Sequence, residues 1–586
     1  MCGITGVYHF DKSRSVDSNI LKKMTDLIQH RGPDGKGYYT NMNIGLGHRR
    51  LSVIDLDTGD QPIFSDDMQK CLIFNGEIYN YVELRNELID KGYVFRTTSD
   101  TEVVLKAYEE WGVDCQLKFN GMWAFIISDS KNQNLFISRD RMGIKPLYYK
   151  MSTSSVYFSS EIKSFNAVCK LKIDKYEAWD RLVFGPLFGE KTIYKDVYEL
   201  LPGKYMLVNG NSVKTHTYFD LKSTFQEGKK KYNLKHIEHL IQDSIKLRLM
   251  SDVSIGTINS GGLDSSFISA IATGIYKDKL KTFSVAPQRI NGEILSGDES
   301  FYAERVASLI NSDHKTVRYD QNEFIKDIPT TAYYNDNIVF HSNSIPLSFM
   351  MKEIKQTYST TVVLGGEGAD EIFRGYSINK FANFYYKAPS IFKKNILKYF
   401  DRKIVNLKMV NKFFPDVSLY LKLSIARNSH IDFETANELL GIKGRPSLER
   451  IKQINSASEL DSINQLIYYE QTNYLKGLLH RVDRMSMRAS VEARVPFLDH
   501  RIVEYVNSIS YKSKSSILES SVKKILKKIA SKHVDKQIIK RKKYGFSSPI
   551  EAYKLELEND LGALSLDLKG LTSQELFVID SYLKHL

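Results

Sequence analysis

The chain has 586 residues, of which 42% are apolar, enough to bury large cores and too many for a disordered chain. Its 82 basic and 69 acidic residues leave a net charge of +13, but the stretch from Lys512 to Lys543 alone holds 12 Lys/Arg against 2 Asp/Glu, so the excess is local and no nucleic-acid partner is expected. No apolar run reaches membrane-span length, the start MCGITGVYHF lacks the order of a secretory signal, and Cys2, Cys71, Cys115 and Cys169 form no CxxC pair, so a reduced, cytoplasmic chain without a membrane span is expected.

The first ~210 residues read as short β-rich runs with occasional helices. Runs 43–55, 70–80, 122–130 and 134–140 are strand-like, and helices are expected over Tyr81–Lys91 and Asp100–Trp111. Ser99 and Asp100 supply cap chemistry for the second helix, with Glu102 in its first turn. A polar, basic stretch at 222–233 reads as a linker, giving units of 1–215 and 236–586 joined by 216–235.

Beyond it the pattern changes. Ile237, Leu240, Ile241 and Ile245 recur at helical spacing over His236–Met250. A strand (Ser254–Ile258), a Gly-rich turn, a helix (Leu263–Thr273), a strand (Lys281–Val285) and a helix (Ser300–Ile310) follow, and the strand Thr360–Leu364 again runs into glycines. Repeated strand–glycine turn–helix units imply an α/β doubly wound parallel sheet. From about 376 to 530 the chain reads as mostly helical, with Arg481–Glu504 as helix and turn.

Loss of Met1 would leave Cys2 as a terminal residue whose own α-amine, with a pKa near ~8, can take the thiol proton. Gly3 leaves room for a substrate behind it. The segments HRGPDGKG (30–37), HRRLSVID (48–55), NGEIYN (75–80) and Ser99-Asp100 then offer parts of a glutamine site. Arg50 can hold a carboxylate, Asn75 and Gly76 can stabilise an oxyanion, and Asp100 can meet an ammonium. Singly, each has a plain alternative: a surface ion pair, a hairpin turn, a helix cap.

Together these motifs resemble the glutamine amidotransferases with an N-terminal-nucleophile fold, an α+β, four-layer αββα architecture, over about 1–210. The resemblance implies attack of Cys2 on the glutamine side-chain amide, ammonia release, and a thioester that water hydrolyses. It assigns Arg50, Leu51, Val53, Asn75, Gly76, Glu77 and Asp100 to glutamine, with Asn75 and Gly76 as the oxyanion hole.

In the second half, SGGLDSS (260–266) places glycines and serines at a helix start, a cradle for phosphate, though it is no Walker A loop. Asp264 suits a Mg²⁺ bridging phosphates better than phosphate itself. LGGEGADE (364–371) adds Glu367, Asp370 and Glu371 beside three glycines. With SSVKKILKKIA (520–530), these resemble the pyrophosphate-loop half of the glutamine-hydrolysing asparagine synthetases. The resemblance implies that ATP adenylates a carboxylate and that ammonia from the first site, arriving through an internal tunnel, displaces AMP. It assigns Asn259, Ser260, Gly261, Gly262, Asp264, Ser265, Ser266, Val285, Gly365 and Gly366 to ATP, Asp264 and Asp370 to Mg²⁺, Glu367 as base and Lys523 to the α-phosphate. A homodimer is expected by the same analogy.

The pattern departs from the family in three places. Asn259 stands where leucine is usual, Gly365 where serine is usual, and residues 335–346 hold no arginine for the α-carboxylate of aspartate. His341 and Arg374 are the candidate substitutes. L-Aspartate is the expected acceptor, with a sugar uronic acid as the alternative.

Overall fold

The computed structural model describes residues 1–132, 134–185, 189–225, 232–288, 298–379, 407–427, 431–510, 523–541 and 573–583. In the first half, two six-stranded antiparallel sheets face each other. One contains Gly3–His9 and Ile44–Arg50, the other Lys70–Ile78 and Gly121–Asp129. Period-two alternation decides what each side chain meets. Ile4 and Tyr8 meet Ile73, Ala124 and Ile126 between the sheets, whereas Val7 turns outward onto Leu21 and Met24 of the helix Ser18–Asp26. Phe74, Phe125 and Ile127 turn outward on the other side, onto Val103, Val104 and Ala107 of Asp100–Trp111. Each such side chain contributes roughly 1.5–3 kcal/mol by burial. The result is the expected helix–sheet–sheet–helix layering.

The second half centres on five parallel strands in the order Asp313–Tyr319, Lys281–Pro287, Ile255–Ile258, Val362–Leu364, Glu492–Arg494. Helices cover both faces. Val362 and Leu364 pack with Ile237, Ile241, Phe267 and Ile502 on one side, and Val363 packs with Met350, Met351 and Met485 on the other. This is the doubly wound sheet that the strand–glycine–helix units predict. The chain crosses over between Ile255–Ile258 and Val362–Leu364, the place where open α/β sheets bind ligands.

Three features differ from the sequence reading. The stretch Arg481–Glu504 is not one helix and a turn. Its helix ends at Arg488, Glu492–Arg494 forms the fifth strand, and a new helix spans His500–Ser508. The polar stretch after Asp220 begins as a short 3-10 helix, Leu221–Phe225, because Phe225 is buried against Ile463, Leu466 and Ile467; residues 226–231 lie outside the described residues. The helical region contains a π-helical turn at Glu470–Tyr474, and part of it, 380–406, is also outside the described residues, as is 511–522 of the basic segment.

The halves are packed together. Trp179, on the helix Lys175–Phe184, is fully buried beside Phe433, and its Nε1 donates to Asn437 Oδ1 at 2.8 Å. Among the described residues no helix is long and apolar enough to cross a membrane.

Candidate active site

Cys2 is buried near the start of a strand paired with Ile44–Arg50, and its main chain is held from two sides. Its N–H donates to Asn75 Oδ1 at 3.0 Å, and its carbonyl accepts from Arg31 Nε at 3.1 Å. Sγ lies 4.0 Å from the carbonyl oxygen of Leu51. Burial pushes the thiol pKa up, while the nearby terminal ammonium and Arg50 oppose the shift. Because Asn75 spends its oxygen on Cys2, its buried Nδ2 is left without a partner among the described residues, as a donor awaiting a substrate oxygen would be. Gly76 is required by packing: a Cβ there would lie 2.2 Å from the carbonyl oxygen of Met122.

The other residues expected to meet glutamine are buried as well. Arg50 is buried and bonded to Asp60 at 2.9 Å and to the carbonyls of Asp55 and Leu56. Asp100 accepts from the Ile78 N–H at 2.9 Å, and burial raises its carboxyl to about 6. The cap of its helix is Ser99. Glu77 is raised by burial and by Glu492, although Arg494 lies 3.5 Å away. The Val53 carbonyl accepts from the Asp252 N–H at 2.9 Å.

Met1 is present and buried, and its ammonium binds Glu492 Oε2 at 2.7 Å. Glu492 and Arg494 therefore reach the first site from the second half, a contribution that the sequence reading did not assign.

The second constellation lies at the crossover of the parallel sheet. Gly261, at φ +68°, leaves room for Tyr302, whose backbone carbon would stand 2.5 Å from a Cβ. Gly262 then caps the helix Leu263–Ile275. Asn259 is turned onto the loop itself. Its Nδ2 donates to the Ala303 carbonyl at 3.0 Å and its Oδ1 accepts from the Gly261 N–H at 3.1 Å. The hydroxyls of Ser260 and Ser265 lie 3.1 Å apart, and Ser266 Oγ has no partner among the described residues. Gly366 brings the second glycine loop against the first: a Cβ there would be 3.2 Å from Asp264 Cβ. Val285 lies on the adjacent strand and Gly365 donates its N–H to the Arg494 carbonyl at 2.8 Å.

Asp264 and Asp370 converge on one cation. Lys523 Nζ pairs with Asp264 and lies 2.6 Å from Asp370 Oδ1, and the two carboxylates raise its pKa against the cost of burial. Two carboxylates gathered on a positive charge beside a phosphate cradle are a hard-oxygen donor set that fits Mg²⁺.

Glu367 is half-buried; desolvation raises its pKa, and Arg481 is the strongest opposing charge. Arg481 Nη1 donates to Asn343 Oδ1 at 2.7 Å. Tyr376 donates to Glu371, and Tyr474 stands edge-on to both Tyr376 and His341. Burial also raises Glu371 to about 7 and Glu470 to about 8. Asn335, Asn337, His341, Ser344, His480 and Arg481 line a small cavity beside this group. Arg481, Glu470 and Tyr474 were not predicted. The charged positions Arg481, Asp483 and Arg484, interleaved with the buried Val482 and Met485, were the available signal.

Residues 1–219 match the family described as glutamine amidotransferase domain, and residues 236–581 that described as asparagine synthase. The chain is 32% identical to asparagine synthetase [glutamine-hydrolyzing] 1 of Bacillus subtilis (strain 168), over 96% of this chain and 88% of that one. It is 31% identical to asparagine synthetase [glutamine-hydrolyzing] 3 of the same organism, over 93% and 86%. Amidase chry2 of Gibberella zeae is 26% identical, over 94% and 89%.

Proposed function

Since the chain belongs to the glutamine-hydrolysing asparagine synthetase family, we propose that it hydrolyses glutamine at Cys2 and uses the ammonia to convert L-aspartate to L-asparagine, with ATP cleaved to AMP and pyrophosphate. The observation that carries this reading is the joining of two constellations in one chain: Cys2 bonded to Asn75, and two glycine loops closed around Asp264, Asp370 and Lys523.

Arg50 and Asp100 hold the α-carboxylate and α-ammonium of glutamine. With Met1 removed, the α-amine of Cys2 takes the thiol proton, and Sγ attacks the side-chain amide carbon. Asn75 Nδ2 and the Gly76 N–H receive the charge that develops on oxygen. The amine leaves as ammonia, and water cleaves the thioester. In the second site, Ser260, Gly261, Gly262, Ser265 and Ser266 hold pyrophosphate. Asp264 and Asp370 would hold Mg²⁺, which supplies charge neutralisation to the phosphates when bound. Lys523 then serves the α-phosphate as a point charge. Glu367, kept protonatable by burial, takes the proton that ammonia loses as it attacks the acyl-adenylate.

A second reading replaces aspartate by a sugar uronic acid. One observation favours it: residues 335–346 hold no arginine to meet the α-carboxylate of aspartate. The deciding experiment is pyrophosphate release from ATP, Mg²⁺ and glutamine, first with aspartate and then with a panel of uronic acids. Aspartate-dependent release with asparagine formed is the expected result. Release only with a sugar acid keeps the chemistry and overturns the acceptor.

A further inference from the structure

The HRGPD turn contributes Arg31, which is fully buried. Its guanidinium has three duties. Nε donates to the carbonyl oxygen of Cys2 at 3.1 Å, Nη1 donates to Glu161 Oε1 at 2.8 Å, and Nη1 and Nη2 form a fork onto Asp483 Oδ2 and Oδ1 at 2.8 and 3.1 Å. Asp483 belongs to the other half of the molecule, on the helix Leu475–Arg488. Arg484, the next residue, reaches Glu161 at 3.2 Å and the Ser160 carbonyl at 3.1 Å. Lys163 and Asp336 extend the cluster at 3.1 Å, and His30 meets Glu161 at 3.0 Å.

A buried ion cluster is a costly way to hold two domains together, since apolar side chains of like volume often stabilise as much or more. It does something that apolar contacts cannot: it sets the plane and direction of a guanidinium. Nη1 serves Glu161 and Asp483 together, one with each of its two hydrogens. The bidentate grip of Asp483 fixes the fork, and with it the Nε edge that meets Cys2. We infer that Asp483 is a positioning residue for glutamine hydrolysis: a carboxylate of the synthetase half that, through Arg31, holds the main chain of Cys2 in register with Asn75. The inference rests on the reading of Cys2 as the nucleophile.

The test is Asp483→Asn in the full chain, with Asp336→Asn as the control that disturbs the same cluster without touching Arg31. Asp483→Asn should lower kcat for glutamine hydrolysis by about tenfold or more and change KM much less, since Arg50 and Asp100 are untouched. Alkylation of Cys2 by the glutamine-like electrophile 6-diazo-5-oxo-norleucine should slow by the same factor. Pyrophosphate release with added ammonia should stay within about twofold, and Asp336→Asn should leave hydrolysis within the same margin. Equal loss in both variants, or equal loss of hydrolysis and ammonia-dependent release, would reduce the cluster to a domain clamp and overturn the proposal. Should Asp483→Asn not fold, Arg31→Lys offers a second route. One ammonium cannot serve Cys2 and the fork together, so alkylation should slow while ammonia-dependent release persists; unchanged alkylation would also overturn it. Cys2→Ala run alongside separates the two ideas, because hydrolysis surviving there refutes the nucleophile, not the positioning.

Discussion

Asp100 is a carboxyl group whose burial raises its pKa to about 6 despite the Ile78 N–H. In the empty site it is therefore neutral in mild acid, yet an ammonium ligand needs it ionised. KM for glutamine should be flat above pH ~6 and rise about tenfold per unit below it, and Asp100→Asn should remove that slope while keeping KM high. Glutamine hydrolysis measured from pH 5 to 8 checks this. For folding, the sign follows from the raised pKa: the native state holds this proton more tightly than the unfolded chain, so the group's contribution is present at low pH and is lost as pH rises from about 4 to about 6.

At the scale of elements, the phosphate loop depends on backbone shape. Gly261 combines φ +68° with a Tyr302 backbone carbon 2.5 Å from any Cβ. Gly261→Ala should thus lower ATP-dependent pyrophosphate release about a hundredfold or more with either nitrogen source, while glutamine hydrolysis stays within about twofold. This loop was legible in the sequence because its signal is local: glycines and serines between an apolar strand and a helix. The helix Asp100–Trp111 was legible for the same reason, with Ser99 accepting from the Thr101 N–H at 3.2 Å. The strand Glu492–Arg494 was not. Its three residues are too short for alternation to show, and charges at both ends made it read as a continuing helix. Those charges can be buried because distant partners satisfy them: the Met1 ammonium for Glu492, the carbonyls of Arg248 and Met250 for Arg494. Arg31 and Asp483, 452 positions apart, were hidden by the same lack of local trace.

For the molecule as a whole, the two halves share a core. Trp179 fills a slot where Gly444 has no Cβ to offer, since one would lie 2.1 Å from the indole, and on the same helix Asp180 pairs with Arg450 at 2.8 Å, both fully buried. Trp179→Ala should cost about 3–5 kcal/mol, read as an earlier transition in chemical denaturation. The loss should fall first on the region around Phe433 and Asn437, followed by hydrogen exchange there.

The place of Met1 carries a consequence in time. It is 2% exposed, and its ammonium is held by a residue that follows 491 positions later. Once the distal half has closed, no peptidase can grip that methionine without prising the halves apart. If Cys2 acts as a terminal nucleophile, removal of Met1 would belong to the period of synthesis, while the first half has emerged and the second has not. On the proposed reading of Cys2, a molecule that folds to completion untrimmed would keep an amide where the mechanism calls for a base.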